Sequence, residues 1–200
     1  NLFAVTFVDA EEALLPLTGT ELVTVRDVAA ICAESEYARL VPTPTRIARF
    51  TEVIDAYAHR GPVLPAPVGL VFRARDAVQR WLELHYVALS DALNFVDNRV
   101  VGRVHVWRPG AEDEREAGAD LAAAAAESLR VLRRSAVTVV PLRMEKLTGI
   151  VLSAAFLVEQ ATWEEFATEV AEQGRTAPEL RFELTGPWPP YDFVQMQLGA

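Results

Sequence analysis

The chain is poor in the residues that most chemistry requires. It holds one cysteine, Cys32, in 200 residues, which excludes an intrachain disulfide and with it a disulfide-stapled secreted scaffold. Only Arg26 stands near Cys32 in sequence to lower its pKa, so the thiol reads as a small buried hydrophobe. The three histidines, His59, His85 and His105, fall on separate predicted elements with no H-x-x-x-H spacing. No phosphate-cradling glycine loop, no G-x-S-x-G elbow and no G-x-G-x-x-G occurs. Basic residues are outnumbered, 19 Lys and Arg against 28 Asp and Glu, for a net charge of −9. Such a surface has no field to draw in phosphate, which argues against nucleic acid and anionic membrane as partners. The longest near-continuous apolar run, Leu147 to Val158, falls short of the ~20 residues that span a bilayer. Residues Asn1 to Phe7 lack the basic region and long apolar stretch of a signal peptide, so a cytoplasmic protein is expected.

What is present is the balance of a folded protein, 51% hydrophobic and 24% charged, long enough for one large domain or two small ones. Leu2 to Val8 reads as a strand, and Leu22 to Val25 and Val28 to Ala33 as two short strands or a strand and a helical turn. Thr43-Pro44-Thr45 opens a helix to Ala58, whose apolar stripe is Ile47, Phe50, Ile54 and Tyr57. Arg60 to Pro67, with three prolines, is extended. A long helix follows from about Ala74 to Val96. Its seam of Val78, Leu82, His85, Leu89, Ala92 and Val96 is spaced to pack on a neighbouring helix. Asp97-Asn98-Arg99 breaks that helix, and a domain boundary is placed there, giving domains 1–98 and 99–200.

The second half reads strand (Val100–Trp107), helix (Asp120–Arg134), strand (Val137–Leu142), strand (Leu147–Val158), helix (Thr162–Gln173) and strand (Glu179–Leu184). This β-α-β-β-α-β order is ferredoxin-like, with expected sheet order 4-1-3-2. The third strand is apolar on both sides, as a central strand should be. The fourth alternates: Leu180, Phe182 and Leu184 inward, Glu179, Arg181 and Glu183 outward. The expected fold class is therefore α+β, a mixed α/β domain followed by a ferredoxin-like one. Thr162 and Glu165 form a predicted capping box, and Gly174 is placed at a left-handed C-cap. The sheet face without helices would carry Arg103, His105 and Trp107, which need cover. Glu112, Asp113, Glu114 and Glu116, with Arg115 among them, read as a solvated acidic loop.

The tail is Leu184-Thr185-Gly186-Pro187-Trp188-Pro189-Pro190-Tyr191-Asp192-Phe193-Val194. It resembles the closing signature of the gas vesicle protein F/L family. Gly61 to Pro65 with Gly69 to Phe72, and Ser153 to Val158, resemble that family's mid-chain and central-strand blocks in the same order. The family's mid-chain Arg and Phe-Gly-Thr are replaced here by Ala66-Pro67-Val68-Gly69-Leu70. The resemblance implies an accessory or minor structural protein of gas vesicle assembly, without cofactor, metal or catalytic residue. Its implied partners are the gas vesicle shell protein and other accessory proteins, and its implied location is cytoplasmic and vesicle-associated. The partner-binding candidates are Trp188, Tyr191 and Phe193. Two readings of them stand open: they cap the protein's own core, or, stiffened by proline in one extended conformation across the second domain, they dock a partner. The competing class is a ferredoxin-like enzyme or small-ligand module. It would need a polar cluster inside its pocket, where Val104, Val106, Leu180, Phe182 and Leu184 are expected instead.

Overall fold

The computed structural model describes residues 1–8, 16–38, 41–108, 119–142 and 149–193. The chain divides into two compact units, Asn1–Asp97 with the tail from Pro189, and Asn98–Trp188. The sequence reading carries the tail with the second domain. In the structure the residues after Trp188 belong with the first unit, because Tyr191 packs on that unit's core.

The first unit has a four-stranded antiparallel sheet in the order β2-β3-β1-β4, from β1 (Leu2–Phe7), β2 (Glu21–Val25), β3 (Val28–Cys32) and β4 (Val63–Pro65). β2 and β3 form a hairpin over Arg26-Asp27, with Arg26 at φ 56°. Two helices complete the unit, α1 (Pro44–Ala58) and α2 (Arg75–Val96). The Thr43 side chain accepts from the Arg46 N–H, and Pro44 takes the first helical turn, where a missing N–H costs nothing.

Alternation along the strands decides which helix each residue meets. Val28, Ala30, Cys32 and Leu64 pack with Val78, Leu82, Leu89 and Leu93 of α2. Ile31 and Val63 point the other way and pack with Phe50, Val53, Ile54 and Tyr57 of α1. The long helix therefore covers a sheet, where the heptad-like spacing predicts a helix partner. A sheet accepts the same stripe, because 3.6-residue periodicity specifies a buried face and not what buries it. Ile47, predicted on the α1 stripe, is exposed. α2 is tied down at both ends of the hairpin. Arg75 bonds Glu21 at 2.8 Å and the Leu22 carbonyl at 2.9 Å. Tyr86 donates to Asp27 at 2.6 Å beneath the Arg26 guanidinium, 4.6 Å from its ring centre.

The second unit runs β5 (Arg99–Trp107), α3 (Ala119–Leu132), β6 (Thr138–Pro141), β7 (Ile150–Glu159), α4 (Trp163–Thr176) and β8 (Arg181–Trp188). Its sheet is antiparallel in the order β6-β7-β5-β8. Val104, Val106, Ala154, Phe156 and Val158 meet Ala125 and Leu132 of α3 and Phe166 and Val170 of α4, so both helices lie on one face. Arg99 bonds Glu159 across β5 and β7 at 2.9 Å.

Two local expectations are corrected. Gln160–Thr162 forms a 3-10 turn, so the Thr162 hydroxyl donates back to the Glu159 carbonyl at 3.2 Å and makes no capping-box bond. Gly174 lies inside α4, which continues to Thr176. The acidic run at Glu112 to Glu116 lies outside the described residues.

Candidate functional surface

The three predicted partner-binding residues are divided between the two units. Trp188 closes β8 opposite Val101 of β5, in the second unit. Its indole N–H donates to Thr185 Oγ1 at 3.3 Å, and the residue is 41% exposed. Tyr191 packs against the first unit's core cluster that contains Phe50 and Tyr57, and Phe193 is half-buried. The tail is not one extended strand. Tyr191 N–H donates to the Pro189 carbonyl at 2.7 Å and Phe193 N–H to the Pro190 carbonyl at 3.2 Å, so the chain turns there. Proline pre-sets φ for such turns, which is why the segment bends instead of running on.

The approach to Trp188 is built on two glycines and a tryptophan. The β5–β8 register shifts between Val101 and Arg103, with one extra residue on β8 at Gly186-Pro187. Such a bulge is where an edge strand can seat a proline that has no N–H to give. Gly186 sits at φ 133°, and a Cβ there would lie 2.6 Å from the Val101 carbonyl oxygen and 3.0 Å from the Trp163 ring. A Cβ on Gly102 would meet Phe166, Leu184 and Trp163 at 3.0–3.1 Å. Trp163 thus lies against both backbones. Nothing in the sequence marks Gly102 and Trp163 as neighbours of the Gly186 bulge, since neither stands near it in the chain.

The chemistry-bearing residues are dispersed. His59 follows α1 with Nδ1 2.6 Å from the Asp55 carbonyl. His85 on α2 has Nδ1 2.8 Å from the Trp81 carbonyl, its ring 5.3 Å from the Trp81 ring. His105 on β5 has Nδ1 2.7 Å from Ser153 Oγ on β7. Arg103, His105 and Trp107, on the face away from α3 and α4, are all half-buried. Cys32 is buried among apolar side chains, and that burial pushes its thiol up to about 11. Among the described residues no three His, Cys, Asp or Glu side chains cluster as a metal site. A groove of about 650 Å³ runs along α3, β6 and β7. Its lining includes Leu129, Val139 and Leu152, with Arg130 and Arg133 among its polar members. Arg130 is engaged by Glu127 at 2.7 Å.

One apolar surface escaped the sequence reading. Leu84 and Val87 of α2 are 80% and 70% exposed. They stand opposite the seam, where a helical wheel drawn for every apolar residue reveals them.

Two helix-bearing antiparallel sheets, and no helix among the described residues long and apolar enough to cross a membrane, define a mixed α+β protein whose notable surface features are apolar contacts. The chain belongs to the gas vesicle synthesis protein GvpL/GvpF family, whose model matches residues 8–116 and 107–195. It is 28% identical over 139 residues to gas vesicle protein F2 of Halobacterium salinarum, a match covering 69% of this chain and 61% of that protein. It is 30% identical over 166 residues to gas vesicle protein L of a Streptomyces species, covering 66% of this chain and 62% of that one. The chain thus spans about six-tenths of the length of these curated relatives. Its fold is that of crystalline GvpF from Anabaena sp., with TM-score 0.77, 15% identity, and 98% and 95% of the two chains covered. GvpF from Microcystis aeruginosa gives TM-score 0.75 at 14% identity, covering 98% of each chain.

Proposed function

We propose that this protein is an accessory or minor structural component of gas vesicle assembly that acts by binding the shell protein or other assembly proteins. The observation that carries the reading is family membership across residues 8–195, to which the resemblance of the tail contributes. It works in the cytoplasm on the growing vesicle, without catalysis. The dispersal of His59, His85 and His105, each against its own local carbonyl or hydroxyl, supports that. The second unit is a ferredoxin-like domain used as a rigid scaffold: its strand order and one-sided helices support this. The exposed Trp188 ring joins apolar area to an N–H donor, a pairing favoured at interfaces, and supports a docking role for the strand end. Tyr191 takes the core-capping role instead.

Complementation tests the proposal. A gas vesicle gene cluster lacking its own F or L gene is expected to regain vesicles, seen by electron microscopy, when this gene and its cognate shell gene are supplied. Absence of vesicles despite soluble expression of both would refute the assembly role.

A further inference from the structure

We propose that the solvent face of α2 is a self-association surface whose occupant is the α2 helix of a second copy of this chain, packed antiparallel about a two-fold axis. Leu84 and Val87 carry the highest exposures of any large apolar side chain among the described residues, 80% and 70%. They lie three residues apart on one face, with Ala88, also exposed, one turn beyond Leu84. The opposite face of α2 is committed to the first unit's sheet through Val78, Leu82, Leu89 and Leu93, so this stripe cannot turn inward.

Charge selects the partner. Arg80 stands one turn before Leu84 and Asp91 one turn after Val87, both exposed. In an antiparallel pair with the axis between Leu84 and Val87, Leu84 of one copy meets Val87 of the other. Arg80 then meets Asp91, and the symmetry repeats the pair. A parallel pair would set Arg80 on Arg80 and Asp91 on Asp91. The pattern is therefore complementary to itself, in one orientation. Arg80 bonds Asp76 through Nη1 at 2.8 Å, which leaves its other donors for the second copy's Asp91. Asp91 makes no ion pair among the described residues.

The same features set the strength. A helix of 22 residues is about 33 Å long, so two of them bury an area at the small end of specific interfaces. Exposed ion pairs add direction more than affinity. With a charge of −9 on each copy, the dimer tightens as salt screens the long-range repulsion. The inference is independent of the vesicle partner, since it concerns the purified chain alone.

Sedimentation velocity on the full chain tests it. Dimer is expected at a loading of ~100 µM and monomer near ~1 µM, the range of a weak, small interface. Leu84→Glu is expected to give monomer at both loadings with an unchanged circular dichroism melt. Asp91→Arg should weaken the dimer about tenfold, and the charge-exchanged pair Arg80→Asp with Asp91→Arg should recover most of that loss. A wild-type monomer at the higher loading would overturn the proposal, as would a dimer that survives Leu84→Glu. Asp91→Arg that is not rescued by Arg80→Asp in a protein with a wild-type melt would overturn the antiparallel geometry.

Discussion

The first unit lays one helix on each face of its sheet, whereas the second lays both helices on one face. The strands carry the mark of that difference. β1 and β3, between α1 and α2, are buried almost residue by residue, as LFAVTF and VAAIC. β5 and β8 alternate, with Val104 and Val106 under the helices and Arg103 and His105 turned away. A sheet covered twice needs apolar residues at every position. In the second sheet, covered by helices on one face, β5 and β8 carry them at every second position and leave others polar, while β7 is buried at consecutive positions from Ser153 to Val158.

Core truncations test this contrast with the largest effects. Phe166→Ala should cost about 3–5 kcal/mol and Leu82→Ala about 2–5 kcal/mol in denaturant unfolding, both side chains being fully buried. Hydrogen exchange should show protection lost first in β5 and β7 for Phe166→Ala, and first in β1 to β3 for Leu82→Ala. Intact β1 and β3 protection in Leu82→Ala would show that α2 is not the cover of that sheet.

Gly186→Ala ranks next. Its Cβ would meet the Val101 carbonyl at 2.6 Å in a backbone conformation that alanine disfavours, so a loss of about 3 kcal/mol is expected. Tyr57→Phe probes the first unit more gently. The Tyr57 hydroxyl accepts from Leu17 N–H at 3.2 Å and lies 3.1 Å from Thr20 Oγ1, so its removal should cost about 1 kcal/mol. The smallest effect has the opposite sign. Gly174 is helical, and a Cβ there would touch Phe182 at an ordinary 3.8 Å. Gly174→Ala should raise stability by about 0.5–1 kcal/mol, and a loss instead would revive the C-cap reading.

The same difference explains how far the sequence could be read. In the second unit, the β-α-β-β-α-β order of elements sets the strand order, and the unbroken apolar run of β7 marks it as a central strand. In the first unit two-sided burial erases alternation. VAAIC names a strand but not its neighbours, and the α2 seam could not announce that a sheet would fill it. Thr162 and Gly174 carry cap-like residue types, but a 3-10 turn before α4 and its extra residues at the end overrode them. Of the candidate site, the aromatic tail was visible as composition. The division of labour was not: Tyr191 goes into a core and Trp188 stays at the surface through contacts with Gly186 and Thr185 that depend on a bulge in β8. Leu84 and Val87 fall outside the three-and-four spacing of the buried α2 seam, so that periodicity does not mark them.

Partner binding is tested most directly by an affinity measurement on the purified full chain against its cognate shell protein and the other vesicle proteins. At least one of them should bind, and Trp188→Ala should weaken that binding by about tenfold or more while leaving the melting temperature within a few degrees of wild type. Binding to none of them, or binding unchanged by Trp188→Ala, would contradict the docking role assigned to this strand end.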